Sequence, residues 1–228
     1  MKDSKYFDRI ATSGHPSRWI AGISCVVLFA SAFAFSGCLS RSALKKQTFA
    51  FSTPMSPTTN RAASDRVLGI RTLQIAPLFD GRSLVYRTGE FSYARDPYAQ
   101  FLDPPAEGLL VPVCELLRGD GCFSAVVEAG SAVKPDTMAE INITQLYGDI
   151  RKPESPCAVL ALQVTFLDAT NGLPGSVVLQ RDYSRRIPMK SATSAALMEG
   201  WNEALFGIFA EAAADFRNRE IEGHLTQQ

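Results

Sequence analysis

Four residues near the start of the chain, Phe35-Ser36-Gly37-Cys38, set a nucleophilic thiol behind two small neighbours. Sulfur in that setting can receive a diacylglycerol once a signal peptidase cuts before the cysteine, the chemistry of a bacterial lipobox. Phe35 stands where such motifs usually carry Leu. The segment before it fits an export signal: Lys2, Lys5, Arg9 and Arg18 give a positive start, and Trp19 to Phe35 is an almost unbroken run of apolar and small residues. Two readings of that run are open, a cleaved lipoprotein signal and an uncleaved anchor, because it is slightly longer than a usual signal core and just short of a spanning helix. A spanning helix does not need Ser-Gly-Cys at its outer end, which favours acylation at Cys38.

Each buried methylene of an acyl chain is worth about 0.8 kcal/mol, so two or more chains hold a protein on a bilayer almost permanently. Membrane association through an N-terminal lipid is therefore expected, on the periplasmic side. Leu39 and Ser40, rather than Asp, follow the cysteine; by enterobacterial sorting this favours the periplasmic face of the outer membrane, with the inner membrane as the alternative. Removing residues 1–37 of 228 leaves 191, enough for one domain with a real core. It also removes four of 23 basic and two of 23 acidic side chains, leaving 19 against 21. A formal charge near −2 offers no basic field for nucleic acid. Among the remaining cysteines, Cys114, Cys122 and Cys157, one disulfide can form at most. Cys114 with Cys122 is the candidate pair in an oxidising compartment, and three buried free thiols are the alternative.

Catalytic chemistry finds little support. The two histidines, His15 and His224, lie in the signal and at the extreme carboxyl end, so the body holds no imidazole for a nucleophile-base pair or a transition-metal site. Neither G-x-x-x-x-G-K-S/T nor G-x-G-x-x-G occurs, so no phosphate cradle is expected. Glu107, Glu115, Asp120, Glu128, Asp136 and Glu140 qualify by type for paired-carboxylate work; exposed solubilising charge is the plainer account. No catalytic residue, metal or cofactor is expected, and the chain reads as no enzyme.

The elements that must carry these residues follow from periodicity. Residues 1–37 are the signal; 38–64 hold the lipidated tether, a short strand over Gln47–Ser52 and a Pro/Ser/Thr-rich loop; 65–220 form a single α+β domain; 221–228 are a tail. Strands are expected at Arg66–Ala76, Ser83–Arg87, Glu90–Ala94 (a two-residue hairpin at Thr88-Gly89), Cys122–Glu128, and as a meander at Met138–Ile150, Ala158–Asp168 and Val177–Ile187. Alternation sets Leu68 and Ile70 on one side of the first against Leu73 and Ile75. In the meander it sets Ile141, Ile143, Gln145 and Tyr147 against Leu146 and Gly148, with Gln163, Thr165, Arg181 and Arg185 facing water. One helix opens at Asp103-Pro104-Pro105, capped by the aspartate, and contains Pro112. The last helix carries an apolar stripe, Leu197, Trp201, Leu205, Ile208, Ala212 and Phe216. Aromatics gather at Tyr86, Phe91, Tyr93, Tyr98 and Phe101, as core strand residues or as the floor of a lipid-binding groove or an interface. The expected fold is an antiparallel-rich sheet with two helices packed on one face.

The stretch R-V-L-G-I-R-T-L-Q-I-A-P-L-F-D-G-R-S-L-V-Y-R-T-G-E-F-S-Y, residues 66–93, together with Ile141-Asn142-Ile143-Thr144 and the Trp201–Phe216 helix, resembles the ABC-type transport auxiliary lipoprotein components. Members of that family commonly bear a tryptophan before the first helix, where this chain has Tyr98 to Pro104 without one. The resemblance implies lipid attachment at Cys38 and a non-enzymatic accessory role. The partners it implies are MCE-type or ABC transporter subunits that move lipids or other hydrophobic molecules between inner and outer membranes, with self-association into a homo-oligomer compatible with that role. The competing reading is a lipid-binding or assembly lipoprotein. A carrier needs an apolar cavity of about 300–1,000 Å³, whereas a docking subunit needs a packed core and an exposed patch.

Overall fold

A computed structural model describes residues 45–52, 65–172 and 175–226. The expected export signal, Cys38 and the loop expected over residues 53–64 lie outside the described residues. The elements follow in the order β1 (Gln47–Phe49), β2 (Val67–Ile75), β3 (Ser83–Arg87), β4 (Tyr93–Phe101), α1 (Pro105–Gly119), β5 (Ala125–Glu128), β6 (Thr137–Asp149), β7 (Cys157–Asp168), β8 (Ser176–Pro188) and α2 (Ser194–Thr226). Thus β1 falls within the expected tether segment, and α2 runs past residue 220.

The sheet is mixed, which corrects the antiparallel-rich expectation. Antiparallel pairing joins β3 to β4, β6 to β7 and β7 to β8; parallel pairing joins β1 to β4, β5 to β2, and both β2 and β3 to β6. The meander β6–β7–β8 is as expected. Upstream of it, β2 and β3 run in the same direction along one edge of β6, as a single strand interrupted by the segment from Ala76 to Arg82. Pro77 cannot donate to a ladder, so β2 stops there and β3 rejoins β6 at Gly148. A parallel neighbour for β2 requires a long crossover, and the fifteen-residue α1 supplies it between β4 and β5. The chain from β5 to β6 then returns past β2 at Gly69, where a Cβ would lie 2.6 Å from Met138 Sδ and 3.0 Å from Pro135 Cγ.

Two bulges correct the faces assigned by alternation. Arg71 is an extra residue in β2, so Leu73 and Ile75 fall opposite Ile141 and Ile143, on the same side as Ile70 opposite Ala139. Thr144 is an extra residue in β6, which turns Leu146 to the side of Ile141 and Ile143 and sends Tyr147 and Asp149 to the other. The β3–β4 hairpin closes through Thr88 N–H to Ser92 O at 2.9 Å, so its loop is longer than two residues and the strand begins at Tyr93 rather than Glu90. Pro104, not Asp103, holds the cap position of α1, with Pro105 in the first turn and no side-chain cap.

The core lies between this sheet and the helices. Leu160, Leu162, Val164 and Phe166 line one face of β7, and the whole α2 stripe from Leu197 to Phe216 is at most 2% exposed. Two aromatic groups anchor α2. Near its start, Trp201 stacks on Phe101 (5.7 Å between centroids) and meets Phe51 (6.4 Å). Further along, Phe216 packs on Phe166 (4.8 Å) and Phe123 (5.1 Å). Gly200 lets the helix settle, since a Cβ there would come within 2.5 Å of Ala158 Cβ. Gly121, at φ 69°, turns the chain out of α1 in the left-handed conformation that glycine adopts without strain.

Arg181 and Arg185 lie on the helix side of the sheet, opposite Val164 and Leu160 in register, with part of each side chain still in water. Arg181 pairs with Asp215 at 2.7 Å and Arg185 with Glu211, pinning α2 along the edge strand β8. Gln163 does lie on the open face, where it links Asp182 and Gln180.

Candidate functional site

One row of register partners crosses five strands at the end where β6 finishes: Tyr93, Arg87, Asp149, Cys157 and Pro188. At ordinary strand spacing this row is about 19 Å wide. Asp149 is its centre. The Thr144 bulge turns this carboxylate to the face away from the helices, and its side chain is only 6% exposed. Arg151 donates through Nε to Oδ1 (2.9 Å) and through Nη2 to Oδ2 (2.8 Å); Arg186 donates through Nη2 to Oδ2 (2.7 Å). The hydrogen bonds from Arg151, with the one from Arg186, hold the Asp149 carboxyl well below the usual carboxylate range, although burial pushes the other way.

Around this clamp opens a pocket of about 800 Å³, with Lys152, Glu154 and Cys157 on its rim beside the clamp and Pro156, Pro188 and Met189 as its apolar wall. Its lining carries three cations against two carboxylates, and one of those carboxylates is already committed to two arginines. Such an arrangement can bind an anion, because guanidinium groups with donors to spare suit carboxylate and phosphate oxygens.

Beside the pocket lies an aromatic group, with Phe79, Tyr93 and Tyr147 in mutual contact at 5.6–6.1 Å. Phe79 and Tyr147 are buried, and Tyr93 is partly exposed under the Arg87 guanidinium. Arg87 also donates to the carbonyls of Gly89 and Glu90, which braces the hairpin loop. At its tip Phe91 is 88% exposed. The aromatic cluster expected from sequence therefore divides: Tyr86 and Phe101 are core, whereas Phe91, Tyr93 and Tyr98 are on the surface.

The acidic residues that qualified by type do not converge. Glu115 pairs with Arg118, Asp120 with Arg217 and Glu140 with Arg71, while Asp136 accepts the Val67 N–H at 3.0 Å. Glu107 lies in the first turn of α1, and Glu128 ends β5. Among the described residues no group of His, Cys, Asp and Glu could hold a metal ion. Cys114, Cys122 and Cys157 are free thiols. Burial pushes Cys114 and Cys122 up to about 11, and Cys122 Sγ donates to Ala213 O at 3.6 Å.

Sequence reading missed Asp149, Arg151 and Arg186. Asp149 and Arg151 are two positions apart, a signal that was available, but Arg186 joins them only through the β6–β7–β8 register. The space between α2 and the sheet is filled by Trp201, Phe166, Phe209 and Phe216, none more than 1% exposed. Among the described residues no helix is long and apolar enough to cross a membrane.

Comparison with known proteins places this architecture. The fold is similar to the crystal structure of protein XCC0632 from Xanthomonas campestris, at a TM-score of 0.65 and 17% identity, covering 78% of this chain and 99% of that one. It is also similar to a second crystal structure of an uncharacterised protein, at a TM-score of 0.56 and 14% identity, with 78% and 99% covered. No curated protein matches in sequence. The family model for ABC-type transport auxiliary lipoprotein components matches residues 49–213, from the end of β1 well into α2. By that match across most of its length, the chain belongs to the family of ABC-type transport auxiliary lipoprotein components.

Proposed function

We propose that this protein is a non-enzymatic lipoprotein, anchored through acyl chains on Cys38 to the periplasmic face of the outer membrane. There it serves as an auxiliary subunit of an MCE-type ABC system that moves lipids or other hydrophobic molecules between the two membranes. The observation that carries this reading is the family match over residues 49–213. The packed interior supports a docking subunit over a carrier, because the volume a carrier would give to ligand is occupied by Trp201 and the phenylalanines around it. Dispersal of the acidic side chains into separate structural pairs supports a role without a reaction centre.

The test is capture of the tagged full-length protein from mildly solubilised membranes, followed by mass spectrometry of its companions. ATP-binding and MCE-domain subunits are expected in the complex; recovery of the intact lipoprotein without any transporter subunit would sink the proposal. In the same cells Cys38→Ala leaves a heavier, unacylated precursor, and incorporation of a fatty-acid analogue into that variant would refute the anchor.

A further inference from the structure

The tether leaves the sheet in the direction of the row that carries the charged pocket. β1 runs parallel to β4, with Gln47 beside Ala99, and β4 itself starts at Tyr93 in that row. Followed backwards, the chain leaves β1 heading toward the row, through the exposed cations Lys46 and Lys45. Cys38 precedes Gln47 by nine positions, at most about 30 Å of extended chain. The opposite end of the sheet, where Thr137, Asp168 and Ser176 align, lies about 40 Å from the row along β6.

We infer that the tether-side end of the sheet is a membrane-contact surface. In it Phe91 enters the interface of the bilayer that anchors the protein, while Arg151, Lys152 and Arg186 take the phosphates of anionic phospholipids. The inference rests on the lipidation of Cys38 proposed above. Its physical basis is a juxtaposition that a water-facing surface does not need: the most exposed large apolar side chain described, Phe91, stands on a braced loop next to a cationic rim. Aromatic rings favour the headgroup level of a bilayer, and an anionic surface attracts adjacent basic groups. Asp149 has a specific part in this arrangement. By accepting from both guanidinium groups it holds side by side two cations that would otherwise repel. Arg186 commits only Nη2 to it, so Nε and Nη1 remain as donors for a phosphate. The tether supplies the reason that the occupant is a bilayer, since the chain leaves β1 toward this end and the lipidated cysteine lies only nine positions beyond.

The experiment uses the full-length acylated protein reconstituted into vesicles of phosphatidylcholine, with or without an equal part of phosphatidylglycerol, made with plain or brominated acyl chains. Phe91→Trp places a reporter at the loop tip, and Val177→Trp, at a side chain 59% exposed on the far end, is the reference. Buried Trp201 is a constant background. Bromination is expected to at least halve the Phe91→Trp emission in vesicles with phosphatidylglycerol and to leave Val177→Trp unchanged. Adding Lys152→Glu or Arg186→Gln, in proteins of unchanged secondary structure, should return the quenching to the level seen in phosphatidylcholine alone.

Acylated protein with an unquenched Phe91→Trp, or with both positions quenched alike, would overturn the inference. A blue-shifted Phe91→Trp without quenching would assign this end to a protein interface instead, and quenching indifferent to Lys152 and Arg186 would remove the headgroup contact. Mass spectrometry of the same preparation separates the two levels: absence of acyl chains would overturn the reading of Cys38 and the inference with it.

Discussion

Replacing Trp201 by Ala removes the largest fully buried side chain of the domain. The ring fills the space between Phe101 and Phe51, and its Nε1–H donates to Val159 O at 3.1 Å. Truncating a buried tryptophan costs about 3–5 kcal/mol through lost burial and the cavity left behind. The Val159 carbonyl loses a partner as well, a cost of about 1–3 kcal/mol where water cannot reach it that is partly contained in the first figure. At about 2–4 °C per kcal/mol for a domain of this size, Trp201→Ala lowers the melting temperature by about 6–20 °C. Thermal unfolding followed by circular dichroism reads this directly. Trp201→Phe, which keeps most of the ring volume and loses the hydrogen bond, should fall between the variant and the parent. Phe51 leans on Trp201, so hydrogen exchange in β1 should also accelerate more than in β7. A melting temperature within about 2 °C of the parent would refute the packing argument, since a fully buried ring cannot be removed at so little cost.

Gly200→Ala, a change that stabilises most helices, should here lower the melting temperature, because its Cβ meets Ala158 Cβ at 2.5 Å; Ala158→Gly in the same chain should restore part of the loss. Asp149→Asn should be less stable than the parent at neutral pH. The folded-state pKa of Asp149 is depressed, so its contribution is present above the unfolded value near 4 and is lost as pH falls below it; denaturant midpoints of the two proteins should converge in acid. Cys114 and Cys122, raised to about 11, should react with a thiolate-selective reagent at pH 8 far more slowly in the native protein than in urea. Because their folded pKa lies above the unfolded one near 9, they stabilise the fold below pH 9 and that share fades as pH rises toward 11. Denaturation midpoints unchanged between about pH 9 and 11 would contradict this.

Much of the scaffold was legible from local pattern. Leu160, Leu162, Val164 and Phe166 alternate as a half-buried strand must, and the α2 stripe repeats at helical spacing, because each signal depends only on which side of its own element a residue falls. The proposed lipobox likewise rests on a contiguous phrase, Phe35 to Cys38, that needs no tertiary context. Where alternation failed, a residue had been inserted: Arg71 and Thr144 each reverse the parity of the rest of their strand, and a bulge leaves no mark in composition. Sheet direction failed for a related reason. The partner of β2 is chosen by the crossover of α1 and the break at Pro77, and nearest-neighbour pairing cannot foresee a strand that serves two segments along one edge. The clamp on Asp149 is the clearest case of what only tertiary structure decides. Arg186 lies 37 positions from Asp149, and only the register of β6, β7 and β8, fixed by the burial of their opposite face, brings its guanidinium to the carboxylate. The pairings of β1 with β4, β4 with β3 and β3 with β6 bring Phe91 and the direction of the tether toward the same end as this clamp, a relation among six strands that no single stretch of the chain encodes.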